Sequence, residues 1–136
     1  MKPLQIEEIH KEIDLVQDCI KRMSNNSFYI KGWFVTLSAV IIALENFKLD
    51  KPLILLISII TLVFWFLDAS YVAYERCFRK LYRWNLNERS NNKRDHLYDL
   101  NIKTRFTPEA KDYWSKEVTV LYGAILIVCI VLFFTR

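Results

Sequence analysis

The chain has 136 residues, 53% hydrophobic and 15% aromatic, with two glycines and a net charge of +4. That is one domain's length, and a helix-forming composition in which the apolar residues come in blocks. Cys19, Cys77 and Cys129 stand far apart with no C-x-x-C or Cys/His spacing, so neither a zinc site nor a disulfide framework is indicated.

Residues 1–23 read as an amphipathic helix. Pro3 suits a first turn, Glu7 and Glu8 lie at its positive end, and Lys21 and Arg22 lie at its negative end. These residues are charged and lack an apolar core, so no cleavable leader is expected. Ile6, Ile9, Ile13, Val16, Ile20 and Met23 follow 3-4-3-4-3 spacing, an a/d seam. That seam can pack on the protein's own helices or on a second copy. Ile13 is expected to be buried, and substitution of Glu12, off the seam, is expected to be silent.

Ser24, Asn25, Asn26 and Ser27 are weak helix formers and cap formers, so a break is expected there. Residues 28–47 form the first candidate membrane span. Its uncharged part is only twelve residues, 33–44, extended by Lys31, which can snorkel, and by Tyr29, Trp33 and Phe34 as an aromatic belt. Thr36 and Ser38 here, and Ser58 and Thr61 in the next span, are expected to bond backbone carbonyls or join helices.

A short polar connection leads to the second span, 53–73, whose first fifteen residues carry no charge. Nothing breaks a helix until about residue 84, which makes a rod of about 48 Å, longer than the about 30 Å of a hydrocarbon core. The part beyond the membrane is a stalk. Tyr71, Tyr74, Phe78, Leu81 and Tyr82 mark one face, and Arg76, Arg79, Lys80 and Arg83 another. Asp68 falls where lipid gives way to headgroups, directly after an aromatic run that includes Trp65. A carboxylate there is costly unless paired or wet, so Asp68 is either a functional group or the partner of Lys31 or another nearby cation.

Residues 85–107 are Asn-rich and charged without periodicity, and are expected to be mostly loop. Thr107, Pro108 and Glu109 look like a helix start that runs directly into the third span, 113–134. Tyr113 and Trp114 stand at its entry, and Gly123 and Ala124 offer a small face for helix contact. The sequence therefore describes an all-α integral membrane protein, with three transmembrane helices and a helical layer on one side. Lys and Arg number sixteen on the side holding residues 1–31 and 75–117, against three on the other. This places the N-terminus and stalk in the cytoplasm and Arg136 outside.

Candidate chemistry is sparse. Paired carboxylates at metal spacing, a Ser/His/Asp set and a Gly-rich phosphate loop are all missing from the sequence. No metal, no cofactor and no enzymatic activity are therefore expected. Arg89 and His96 (RSNNKRDH) match the loose Arg-x4-6-His pattern of HEPN-type ribonucleases, a short and degenerate motif. The basic, aromatic-faced stalk suits anionic lipid, and also RNA stacking.

Arg22-Met23-x3-Ser27-Phe28-x-x-Lys31-Gly32-Trp33 and Phe64-Trp65-x-Leu67-Asp68-Ala69-x-Tyr71-x3-Glu75-Arg76-x-Phe78-Arg79-x-Leu81-Tyr82 together resemble small bacterial membrane proteins that recur beside antiviral systems. They are similar to the membrane accessory proteins of type VI-B CRISPR systems, which also carry a HEPN-like Arg/His pattern. The resemblance implies a non-enzymatic effector that forms a homo-oligomer in the bacterial inner membrane and permeabilises it during phage infection, with Arg136 then periplasmic. In that setting Lys31, Trp33, Trp65, Asp68 and Arg76 are the candidate interface and gating residues, and Ile6, Ile9, Ile13, Val16 and Ile20 the oligomer or packing seam. Two alternatives stand beside it: a membrane-tethered HEPN-like ribonuclease, and a non-catalytic scaffold. Partners in these readings are the lipid bilayer, further copies of the chain, and a soluble defence protein or RNA on the cytoplasmic face.

Overall fold

The structure is a computed structural model and describes residues 5–44 and 48–135. The order is α1 (Ile6–Leu44), α2 (Lys51–Ser90), two single 3-10 turns (Ile102–Thr104 and Ala110–Tyr113) and α3 (Lys116–Thr135). The fold is all-helical. Each of the three helices is long and apolar enough to cross a membrane.

α1 and α2 form an antiparallel hairpin, and α3 packs against α2. The connection before α2 includes residues 45–47, which lie outside the described set along with the end of the first expected span. Pro52 sits in the first turn of α2, where its missing N–H removes no helical bond.

The expected break at 24–27 does not occur: α1 continues straight through it. Four weak formers cost only about 0.5 kcal/mol each relative to alanine. Packing overrides that cost, because Ser27 is buried and bonded to Asp68 of α2, and Met23, just before the stretch, packs on the cluster around Val16 and Leu81. The stalk also runs further than its expected end at about 84. α2 reaches Ser90 and stops where Asn92 takes φ 60, a left-handed conformation that asparagine tolerates.

The third correction concerns the start of α3. Thr107 does not begin a helix that runs into the span. Glu109 caps one 3-10 turn, in which the Asp112 carboxylate accepts the Glu109 N–H at 2.9 Å. The chain then breaks at Trp114 and Ser115, and α3 begins at Lys116.

Three apolar clusters follow the length of α2. Leu53, Ile54, Ile57 and Cys129 fill the end nearest the α1–α2 connection. Phe34, Ala69, Val118 and Tyr122 fill the middle, with Trp65 packed alongside. Val16, Cys19, Cys77, Phe78, Leu81 and Ile102 fill the polar half of the molecule. Around the first two, the outward surface carries exposed apolar side chains from all three helices, including Val35, Leu55, Ile59, Phe66, Ile127 and Val131, as a lipid-facing surface requires. Ser58 and Thr61 bond the carbonyls of Ile54 and Ile57 at 2.8 and 2.7 Å. Gly123 has no heavy atom within 4 Å of where a side chain would begin, so its small face meets no helix of this chain among the described residues.

The heptad seam is half realised. Val16 is buried, and Ile20 and Met23 pack on the stalk; Ile9 and Ile13 are half-buried, and Ile6 is 72% exposed. α1's buried stripe runs through Glu12, Val16, Cys19, Ser27 and Phe34. A straight helix holding one face for nearly forty residues drifts off a strict 3.5-residue seam, and Glu12 takes the buried place expected for Ile13.

Candidate functional site

Asp68 is the centre of the membrane-boundary site. It is fully buried on α2, between α1 and α3. The apolar residues before it place it at the edge of the span, and i, i+4 spacing on α1 brings Ser27 and Lys31 to it together. The Ser27 hydroxyl donates to Asp68 Oδ1, and Lys31 Nζ lies 2.7 Å from Oδ2. Lys31 also donates to Ser27 Oγ at 2.8 Å, which closes the triad. The Lys31 side chain is 30% exposed, so its ammonium reaches a buried anion from a partly wet position. Isolating a carboxylate at this depth is prohibitive, and a paired, hydrogen-bonded one is tolerated.

The phenol of Tyr122 stands beside the same carboxylate without a hydrogen bond of normal geometry. Its ring packs edge-on against Phe34 at 5.2 Å. Ser38 Oγ is likewise buried without a partner among the described residues. Trp65 and Trp114 meet edge to face at 6.4 Å, while Trp33 projects outward from α1.

The second polar cluster ties the far end of α2 to the start of α1. Glu12 is 1% exposed and accepts two bonds from Arg89, from Nε at 2.7 Å and from Nη2 at 2.9 Å. The Tyr98 N–H also donates to Glu12, at 3.1 Å. Arg89 further donates to the carbonyls of Lys93 and Asp95, which wraps the 91–98 turn around it. The bonds to Glu12 raise the Arg89 pKa above its already high value despite the opposing effect of burial. Arg94 pairs with Glu8 at 2.7 Å on the outer edge. One helical turn before Arg89, Asn85 is buried with neither its amide nitrogen nor its oxygen bonded among the described residues.

This cluster settles where the Arg89/His96 motif sits. Arg89 is enclosed and fully engaged. His96 is exposed in a turn at φ 58, with its ring 6.3 Å from Trp84 and Nδ1 3.7 Å from the Asp99 carboxylate. Beyond Ser90 the segment is loop with short ordered pieces, as expected, and its first turn is built on the Arg89 side chain.

The stalk cations are less free than their stripe implies. Arg76 donates to the carbonyls of Lys111 and Asp112 at 3.3 and 3.2 Å, and Lys80 pairs with Asp112 at 2.9 Å. Arg79 pairs with Glu75 at 2.7 Å. Arg83 alone of the four is exposed without an ion pair among the described residues. Burial works against the Asp112 carboxylate, but the Glu109 N–H together with Lys80 and Lys111 outweighs it and holds the pKa below the ordinary value.

Sequence reasoning found Asp68 and offered Lys31 or another nearby cation as its partner, because charges beside long apolar runs stand out; the structure pairs it with Lys31. It missed Ser27, taken as part of a break, and it missed Glu12, one acid among several on a charged helix. Among protein families, curated proteins and solved structures, none matches this chain. The fold and site define a three-span, all-helical membrane architecture with a buried ion pair at the edge of the span and a second one in its polar half.

Proposed function

We propose that this chain is an effector that self-associates in a bacterial inner membrane and depolarises it, with the polar half on the cytoplasmic side. The observation that carries the reading is the Ser27–Lys31–Asp68 triad, an ion pair buried where the α1–α2 hairpin enters the span. Opening such a pair strands a buried carboxylate unless water follows it, so closure and hydration are linked. The pair's position on the same rod as the Glu12–Arg89 pair couples any movement of the polar half to the membrane boundary. The Ser38 hydroxyl, without a partner among the described residues, gives water or a neighbouring copy a group to bond inside the span. The resemblance to membrane accessory proteins of antiviral systems supports placing this activity in defence against phage.

The ribonuclease alternative draws no support from the geometry, because Arg89 is consumed by Glu12 and two carbonyls. Expression in cells with a membrane-potential dye tests the proposal, with membrane-fraction protein levels matched. Asp68→Asn and Asp68→Ala are expected to lose depolarisation, and His96→Ala to leave it unchanged. Loss on His96→Ala with both Asp68 variants unaffected would replace the effector by a tethered ribonuclease.

A further inference from the structure

A cleft of about 510 Å³ opens between α1, the stalk and the first turn of α3. Its polar lining includes Ser24, Lys31, Arg76, Arg79, Ser115 and Glu117. It lies at the polar ends of the three apolar runs, since Lys31 stands two residues before the uncharged part of α1, Val72 one helical turn after Asp68, and Val118 at the start of the uncharged part of α3. That is the level of lipid headgroups. Phe28, Val72 and Val118 supply an apolar edge on the same opening.

The charges of the lining are unequally satisfied. Lys31 is neutralised by Asp68, and Arg79 by Glu75. Arg76 meets only two backbone carbonyls, at 3.2 and 3.3 Å, the long end of hydrogen bonding, with no carboxylate paired to it among the described residues. Glu117 makes no ion pair among the described residues either. Ser115, 8% exposed, lies at the open N-terminus of α3, whose first N–H groups have no partner within the helix and favour an anion. Among the described residues, the cleft therefore holds one cation without a carboxylate, Arg76, and one anion without a basic side chain, Glu117, which only the N-terminus of α3 favours.

We propose that this cleft binds the headgroup of one phospholipid bearing a primary amine, with its phosphodiester on Arg76 and its ammonium on Glu117. A guanidinium suits the phosphate through paired N–H donors, and a carboxylate suits the ammonium. A choline headgroup lacks the N–H donors that Glu117 would accept, and a glycerol headgroup lacks the cation. The assignment rests on the membrane-spanning architecture and not on the effector reading.

Native mass spectrometry of the full chain released from maltoside micelles tests it, after titration with phosphatidylethanolamine, phosphatidylcholine and phosphatidylglycerol. One phosphatidylethanolamine is expected to remain bound, at least about tenfold tighter than the other two, as one charge-assisted bond provides. Arg76→Gln is expected to lose retention of all three. Ser24→Phe, which fills the mouth without touching an ion pair, is expected to do the same while keeping wild-type helicity. Glu117→Gln is expected to keep binding and lose the preference. Arg83→Glu, outside the cleft, is expected to behave as wild type. Equal retention by Arg76→Gln and wild type, or equal retention of the three lipids by wild type, overturns the proposal. Displacement by soluble phosphoethanolamine at comparable concentration also overturns it, in favour of a soluble ligand.

Discussion

Glu12→Ala leaves Arg89 with a buried charge and nothing to neutralise it. The Arg89 side chain is 2% exposed, and its two remaining partners are neutral carbonyls. Breaking one side of a buried pair costs about 3–5 kcal/mol, and the orphaned Tyr98 N–H adds about 1 kcal/mol. A domain's whole stability is about 5–15 kcal/mol, so the substitution should remove a large part of it. Replacing Glu12 and Arg89 together by leucine should return most of the loss, because no charge is then stranded. Glu7→Ala is the control: Glu7 pairs with Lys11 in full solvent and contributes little. The measurement is denaturant unfolding in detergent, followed by helical circular dichroism and by alkylation of the buried thiols. Burial, with Asp112 next in size, raises the Cys77 pKa, so alkylation stays slow until the polar half opens. A Glu12→Ala loss within about 0.5 kcal/mol of Glu7→Ala, or a double variant no better than the single, would refute the buried-clasp account.

Three further outcomes follow from the same geometry. Asn85→Leu should stabilise by about 1–2 kcal/mol in the same unfolding assay, since it removes a buried amide without partners. His96→Gly should leave stability unchanged or raise it slightly, while His96→Val should cost about 1 kcal/mol or more, because φ 58 suits glycine and crowds a β-branched side chain. Asp112 has a depressed pKa, so its contribution is fully present above the ordinary carboxylate value of about 3.9 and disappears as pH falls through the lower folded value. Proteolysis within residues 105–115 should therefore accelerate in acid for wild type, and Asp112→Asn should show that fast rate at neutral pH.

The parts of the fold that the sequence made legible are those where one signal dominates. Uninterrupted apolar runs located the spans, and a carboxylate set against Trp65 and Phe66 singled out Asp68. Signals that depend on a distant partner were silent. Ser27 reads locally as a helix breaker, and only the hydroxyl's bond to Asp68, forty-one positions away, makes it part of a continuous helix. Glu12 and Arg89 are separated by seventy-seven positions, and each sits among residues of its own kind. An apolar seam at heptad spacing gave no warning that a charge would occupy the buried stripe. Arg89 was noticed for a catalytic motif, yet its surroundings make it a structural clasp.

The ties along α2 also bear on how the protein is made. Asp68 meets partners on α1, which the ribosome has already delivered, so the hairpin can close before α3 is synthesised. The most lipid-averse side chain of the span is thus never obliged to wait unpaired in the bilayer for a later segment. Lys80 and Arg89 close afterwards, on Asp112 from the following chain and on Glu12 from the preceding one. Biogenesis would then proceed outward from the membrane, with α3 docking last onto a finished pair of helices. A nascent chain truncated before Lys116 should already carry a protected Ser27–Asp68 contact.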